Sequence, residues 1–162
     1  MKKLLSPGVV SLFFAMATLW GSTLSSSQDR AVNQGIQDRF IGAWRLAWLE
    51  EVGADGKAHR ADCTGMLVFT REGRMSVQVL YRDPQAGDSS GPVQYVRGGY
   101  EASFGRYLID ERAQRFTYHV EGALVRSLIG KDLPRLFELS GRQLIVKSPS
   151  PDEHWRVAWE HE

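Results

Sequence analysis

The sequence predicts an all-β domain of eight short antiparallel strands, arranged as an up-and-down barrel or a sandwich. Three observations lead there. Eight segments of five to seven residues, rich in β-branched and aromatic side chains, recur between residues 44 and 160. Turn residues, chiefly Gly, Asp, Ser and Pro, separate them. No long helical period intervenes after the opening stretch.

The chain of 162 residues suits one domain with a short appendage, and 17 aromatic residues suit one packed core. Twenty basic and 19 acidic residues give a net charge of +1, so no basic excess points to nucleic acid and no acidic tail points to disorder. A lone cysteine excludes an intramolecular disulfide and a cysteine-rich zinc cluster.

The first 27 residues differ in kind from the rest. Lys2 and Lys3 precede the mostly apolar run Val9 to Trp20, and Gly21 to Ser27 are small or polar apart from Leu24. This pattern predicts a signal peptide over 1–27, because the apolar run is too short for a bilayer span of ~20 residues. Export to a periplasm or medium follows, with no stable membrane anchor once the leader is gone. Its loss removes two lysines and no acid, so the net charge moves from +1 to −1. Residues 28–39 form a helical lead-in, since Val32, Ile36, Phe40 and Ile41 are spaced for one face of a short helix. Residues 40–162 form the folded domain.

The strands then follow in order. Trp44–Glu50 ends at the turn Gly53-Ala54-Asp55-Gly56. Thr64–Thr70 and Met75–Tyr81 form a tight hairpin around Arg71-Glu72-Gly73-Arg74. Asp83–Gly99 is the one long irregular stretch, and its Gly98-Gly99 pair reads as a hinge for a lid over a barrel mouth. Strands resume at Phe104–Ile109 and Arg115–Glu121, continue through a connection at Ser127–Gly130, and finish with Arg135–Leu139, Gln143–Lys147 and His154–Glu160. Eight strands close into a barrel that is filled by side chains or holds one small ligand, and closure removes exposed edges. Cys63, at the start of a strand, reads as a small buried residue.

Gly42-Ala43-Trp44, just after the lead-in helix, resembles the opening Gly-x-Trp of the lipocalin superfamily. Further segments are similar to the bacterial and fungal lipocalin-like domain family: Thr64–Gln78 to its second hairpin, Phe104-Gly105-Arg106-Tyr107 to its Phe-Gly-x-Tyr, and Tyr118-His119-Val120-Glu121-Gly122 to its His-His-Val-Glu-Gly. Arg135–Gly141 resembles its Arg-x-Phe-x-Leu-x-Gly. The likeness spans roughly residues 40–162. It implies an eight-stranded antiparallel up-and-down β-barrel, lipocalin-like, with a short N-terminal helix. It also implies that Trp44 packs across the closed end and that Arg156 covers it from the last strand. Gly42, Trp44 and Arg156 are thus structural expectations. Tyr118 departs from the family pattern, which has a histidine there, and the 83–99 stretch is shorter than the family's usual insert.

With Trp44 inward, alternation sends Leu46, Trp48 and Glu50 inward too. Phe116, Tyr118 and Val120 share one face of their strand and Thr117, His119 and Glu121 the other; parity alone leaves open which faces the lumen. Trp48, Tyr100, Phe104, Tyr107 and Tyr118 are candidate pocket aromatics, and Arg135 could grip a ligand carboxylate with two hydrogen bonds. These six are the ligand-binding candidates. His119 and Glu121, two apart on a strand, would suit a general base with its orienting carboxylate. No third ligand accompanies them, and His154 and His161 lie at the chain end, so no metal and no cofactor is expected. Phosphate-loop and His-Glu-x-x-His motifs are absent from the sequence.

The first reading is therefore an exported barrel that binds a small, mostly apolar molecule in its lumen. The alternative is a small cofactor-free isomerase, cyclase or lyase that uses His119 and Glu121. A third possibility is a filled barrel serving a protein partner. Ligand identity and oligomeric state are not legible at this level.

Overall fold

The structure, a computed structural model, describes residues 35–53, 55–82 and 99–162. The leader at 1–27, most of the lead-in and nearly all of the 83–99 stretch lie outside the described residues. A helix over 35–40 comes first, followed by nine strands. These are β1 (Gly42–Val52), β2 (Ala58–Arg60), β3 (Cys63–Phe69), β4 (Arg74–Tyr81), β5 (Tyr100–Asp110), β6 (Arg115–Ala123), β7 (Asp132–Ser140), β8 (Gln143–Lys147) and β9 (Trp155–His161).

Neighbours in sequence are neighbours in space, all antiparallel, and β9 pairs back onto β1. Both β2 and β3 pair with β1, at its end and its beginning, so they are two lengths of one wall strand interrupted at Ala61-Asp62. The result is a closed eight-stranded antiparallel barrel with no open edge to protect. Strands β5 and β7 start earlier than the sequence reading placed them, at Tyr100 and Asp132. In the second case Pro134, which has no N–H to give a ladder, hid the first residues of the strand.

Turn chemistry closes the hairpins. In the β3–β4 turn, the Thr70 amide donates to the Arg74 carbonyl at 2.8 Å, and Gly73 adopts φ +77°, a conformation that glycine accepts without a Cβ clash. The helix plugs the same end of the barrel. Ile36 and Phe40 are buried at the i, i+4 spacing that puts them on one face. The Phe40 ring meets Phe69 at 5.1 Å and Phe137 at 5.0 Å, both edge-on, and Phe116 lies 6.0 Å away. Trp44, fully buried, donates its indole N–H to the Phe40 carbonyl at 2.8 Å. That pairing satisfies the one polar atom of the largest core side chain.

Two registers depart from simple alternation: in β5–β6 Phe104 pairs with Gly122 and Gly105 with Val120, which makes Glu121 an extra residue, and the second lies in β1–β9. Leu46 pairs with Trp159, yet Trp48 pairs with Ala158, so Ala47 is an extra residue in β1. Such a bulge leaves two successive side chains on the same side of the strand. Leu46, Leu49 and Glu51 are buried inside, whereas Trp48 and Glu50 stand on the outer wall. The inward placement expected for Trp48 and Glu50 is thereby corrected.

The closed end carries a second correction. Arg156 lies 5.3 Å from the centre of the Trp48 ring, on the outside, and its Nε donates to Glu50 at 2.6 Å. The side chain against Trp44 is instead His161, its ring 4.8 Å away and edge-on. Gly42 leaves room for it: at φ +134°, a Cβ on Gly42 would sit 2.5 Å from the His161 Nε2. An imidazole therefore takes the place that the resemblance assigned to a guanidinium.

Candidate functional site

The barrel wall is built so that its inner face turns from aromatic to mixed along its length. At the closed end β5 and β6 deliver Tyr107 and Phe116 to the plug. Toward the other end the same strands, still alternating, deliver Glu101, Ser103 and Tyr118. Strand β7 adds Arg135, and β9 adds Trp155 and Trp159. Between them lies a cavity of about 70 Å³ whose remaining walls are aliphatic, including Leu49, Val79 and Val146.

Glu101 and Arg135 are 6% and 8% exposed, which is rare for ionisable side chains. Burial pushes the Glu101 carboxyl up to about 7, the Arg135 charge opposing it only in part. Burial likewise pulls the Arg135 guanidinium down from its ordinary value, with Glu153 and Glu101 acting against that shift. Among the described residues no ion pair within 4.0 Å joins the two, and the Glu101 carboxyl accepts no hydrogen bond. Arg135 is held from other sides: Nη1 donates to the Pro134 carbonyl at 3.0 Å and lies 4.0 Å from Glu153, and the guanidinium sits 5.2 Å from the Trp155 ring centre. Trp155 in turn donates its indole N–H to Glu153 at 2.9 Å.

The Tyr118 hydroxyl is buried with no hydrogen-bond partner. Burial pushes it up to about 12; the nearby Ser103 side chain, which falls short of hydrogen-bond geometry, opposes that shift and the Glu101 and Glu121 carboxylates assist it, so Tyr118 remains a phenol and a donor. A second acid, Glu51, also faces inward and accepts a hydrogen bond from the Tyr81 hydroxyl. Cys63, half-buried near it, has its thiol pushed up to about 11 by burial first and the Glu51 and Asp62 carboxylates next. It is an unreactive thiol.

Of the six ligand-binding candidates, the structure brings two together in the cavity, Tyr118 and Arg135. The other four are corrected. Tyr107 is buried in the closed-end plug, where its hydroxyl donates to the Thr70 carbonyl at 3.0 Å and its ring meets Phe69 at 4.9 Å. Trp48 lies on the outer wall between Arg60 and Arg156, at 5.4 and 5.3 Å from its ring centre. Tyr100 faces out and donates to Gln78 at 3.1 Å. Phe104, 53% exposed, lays its ring over Gly122 of the neighbouring strand, covering a position that has no side chain of its own.

His119 and Glu121 are also on the outer wall, and they do not pair with each other. His119 Nδ1 is 2.7 Å from Asp132 Oδ1 across the β6–β7 ladder. Glu121 bridges Arg106 and Arg74, each at 2.7 Å. Burial alone would raise that carboxyl, but the two guanidiniums outweigh it and hold it below the ordinary range. The two side chains are separated because each has a stronger partner on an adjacent strand.

Sequence reasoning missed Glu101 and Ser103, although the signal was present. Phe104 and Tyr107 are three apart and cannot face the same side of one strand. Putting Tyr107 inward selects Gly105, Ser103 and Glu101 with it.

A family model described as a lipocalin-like domain matches residues 41–160. A solved lipocalin-like protein from Bacteroides uniformis is 18% identical, over 76% of this chain and 99% of that one, with a TM-score of 0.46. No curated protein matches the chain.

Proposed function

Because the chain belongs to the lipocalin-like domain family, we propose that it is an exported protein that takes a small, mostly apolar molecule into the lumen of its barrel. The observation that carries this reading is the cavity: an aliphatic and indole-lined void of about 70 Å³ that also holds buried polar groups, one of them the unpartnered Tyr118 hydroxyl. A buried donor left without an acceptor costs about 1–3 kcal/mol, so the Tyr118 hydroxyl favours an occupant of the cavity that can accept from it. Apolar contact would supply affinity at ~25 cal/mol per Å² buried, and the polar groups would set orientation.

The void is about half of the ~150 Å³ that admits a benzene ring, so the ligand that fits without rearrangement is a short chain of a few carbons. Export rests on the charged start, apolar run and small-residue exit of residues 1–27. The enzymatic alternative is less favoured, since its His119 and Glu121 stand outside the barrel with other partners.

The test uses the full chain expressed in a bacterial host. Mass spectrometry of the periplasmic fraction should find a chain shortened by about 27 residues. Titration with short-chain apolar compounds should quench or shift the fluorescence of Trp155 and Trp159, which line the cavity. An uncleaved chain sinks the export half of the reading, and unchanged fluorescence across the series with no heat of binding sinks the other.

A further inference from the structure

Apolar walls alone would accept many short ligands. The polar end of the cavity is more specific. Arg135 offers a fork of N–H donors of which one donation, from Nη1 to Pro134, is made to the protein. Tyr118 offers a buried hydroxyl proton with no acceptor. Glu101 faces the same void without a hydrogen bond and without a direct ion pair to Arg135. Among the described residues, these groups lack a common partner, and the space between them is where one would sit.

Three head groups could be offered to that space. An ammonium would pair with Glu101 but would meet the buried guanidinium, a permanent like charge. An alcohol would satisfy Tyr118 but add no charge to face the guanidinium, whose Nη1 lies 4.0 Å from Glu153 and makes no direct ion pair with Glu101. A carboxylate accepts from the guanidinium fork and from the phenol at once, the pairing whose geometry suits arginine best. It would also stand beside Glu101, and two carboxylates at one guanidinium cannot both stay ionised without strong repulsion.

Resting on the lumen-binding reading above, we propose that the ligand is a small monocarboxylate, received by Arg135 and Tyr118, and that its binding takes up one proton at Glu101. The protonated Glu101 then donates its own O–H to the ligand carboxylate. Within the cavity lining the charges balance, one guanidinium, one ligand carboxylate and a neutral acid, while Glu153 approaches Arg135 from outside that lining at 4.0 Å. The raised position of Glu101, at about 7, makes that proton available near neutrality. Linkage then requires affinity to fall about tenfold for each pH unit above that point.

The experiment is calorimetric titration of the mature protein with butyrate, butan-1-ol and butylamine, and then with the six-carbon members of each series. Carboxylates should bind at least tenfold more tightly than alcohols or amines of equal length at pH 7. At pH 8, runs in two buffers of different ionisation enthalpy should report uptake approaching one proton per ligand. Arg135→Gln should abolish the preference for the acid, and Glu101→Gln should bind the acid at pH 9 at least tenfold more tightly than the unaltered protein. Equal affinity across head groups, or acid binding with no proton uptake, overturns the inference while leaving the lumen-binding reading standing. No binding by any compound of either length overturns both.

Discussion

Replacing Glu101 by glutamine should make the protein more stable at alkaline pH. In the unfolded chain this carboxyl ionises at its ordinary value of 4.5; in the barrel, burial moves it to about 7. The folded state therefore binds a proton that the unfolded state has released across that interval. A raised carboxyl contributes full stability below about pH 4.5, and the contribution is lost as pH climbs to about 7. At 1.36 kcal/mol per pH unit the loss is about 3 kcal/mol. Glutamine has nearly the same shape and no charge, so it escapes this loss. Its own offset, chiefly that Arg135 keeps only Glu153 as a nearby counter-charge, does not vary with pH across the interval.

The assay is urea unfolding of both proteins at pH steps from 4.5 to 8.5, followed by tryptophan fluorescence. With a slope of roughly 2 kcal/mol per molar, the difference in midpoint should grow by about 1.5 M between pH 4.5 and pH 7 and level off near pH 8. The growth is diagnostic and the absolute value is not. A difference that stays flat over that range refutes the assignment of Glu101 as a buried acid, whatever its size.

Other outcomes follow from the wall and its surface. Gly105→Ala would place a Cβ 1.9 Å from the His119 carbonyl oxygen, so β5 and β6 must part; a loss of at least about 3 kcal/mol, or no folded barrel, is expected by thermal melting. Alkylation of Cys63 by iodoacetamide at pH 8 should run about 100-fold slower than for an ordinary thiol, because a rise from 9.0 to about 11 depresses its thiolate fraction by that factor, and a rate near that of free cysteine would contradict its placement beside Glu51. His119→Ala should shift ligand affinity in the cavity by less than about threefold in the fluorescence titration, since the imidazole is on the outer wall with Asp132.

Most of the barrel was legible because strand alternation and turn residues are local properties. The β3–β4 hairpin needs only a glycine at positive φ and two alternating flanks. The alternation of β6 was legible, but which of its two faces is inward is decided by the burial of Phe116, Tyr118 and Val120. The site was legible only in part, for two physical reasons. One is that aromatic character says nothing of phase: Phe104 and Tyr107 lie on opposite faces of β5, and the acid that shares the inner face with Tyr107, Glu101, has no apolar signal of its own. The other is non-local. Whether β1 keeps its phase through Ala47 depends on how β9 pairs with it, and whether His119 attends to Glu121 depends on Asp132 and Arg106 from adjacent strands. Side-chain partners brought together by folding are not written in the spacing of one strand.

The extra residue in β1 also decides where this chain tolerates shortening. Along an unbroken strand, deleting one position rotates everything beyond it by half a turn and exchanges lumen for solvent. At Ala47 the outcome differs, because Ala47 and Trp48 both point outward. With Ala47 removed, Leu46 would still precede an outward indole and an inward Leu49, so the upper half of the strand would keep its orientation while losing its kink. The bulge is thus a slack link in the first strand, a place along β1 where a codon could vanish without turning the vessel's lining inside out.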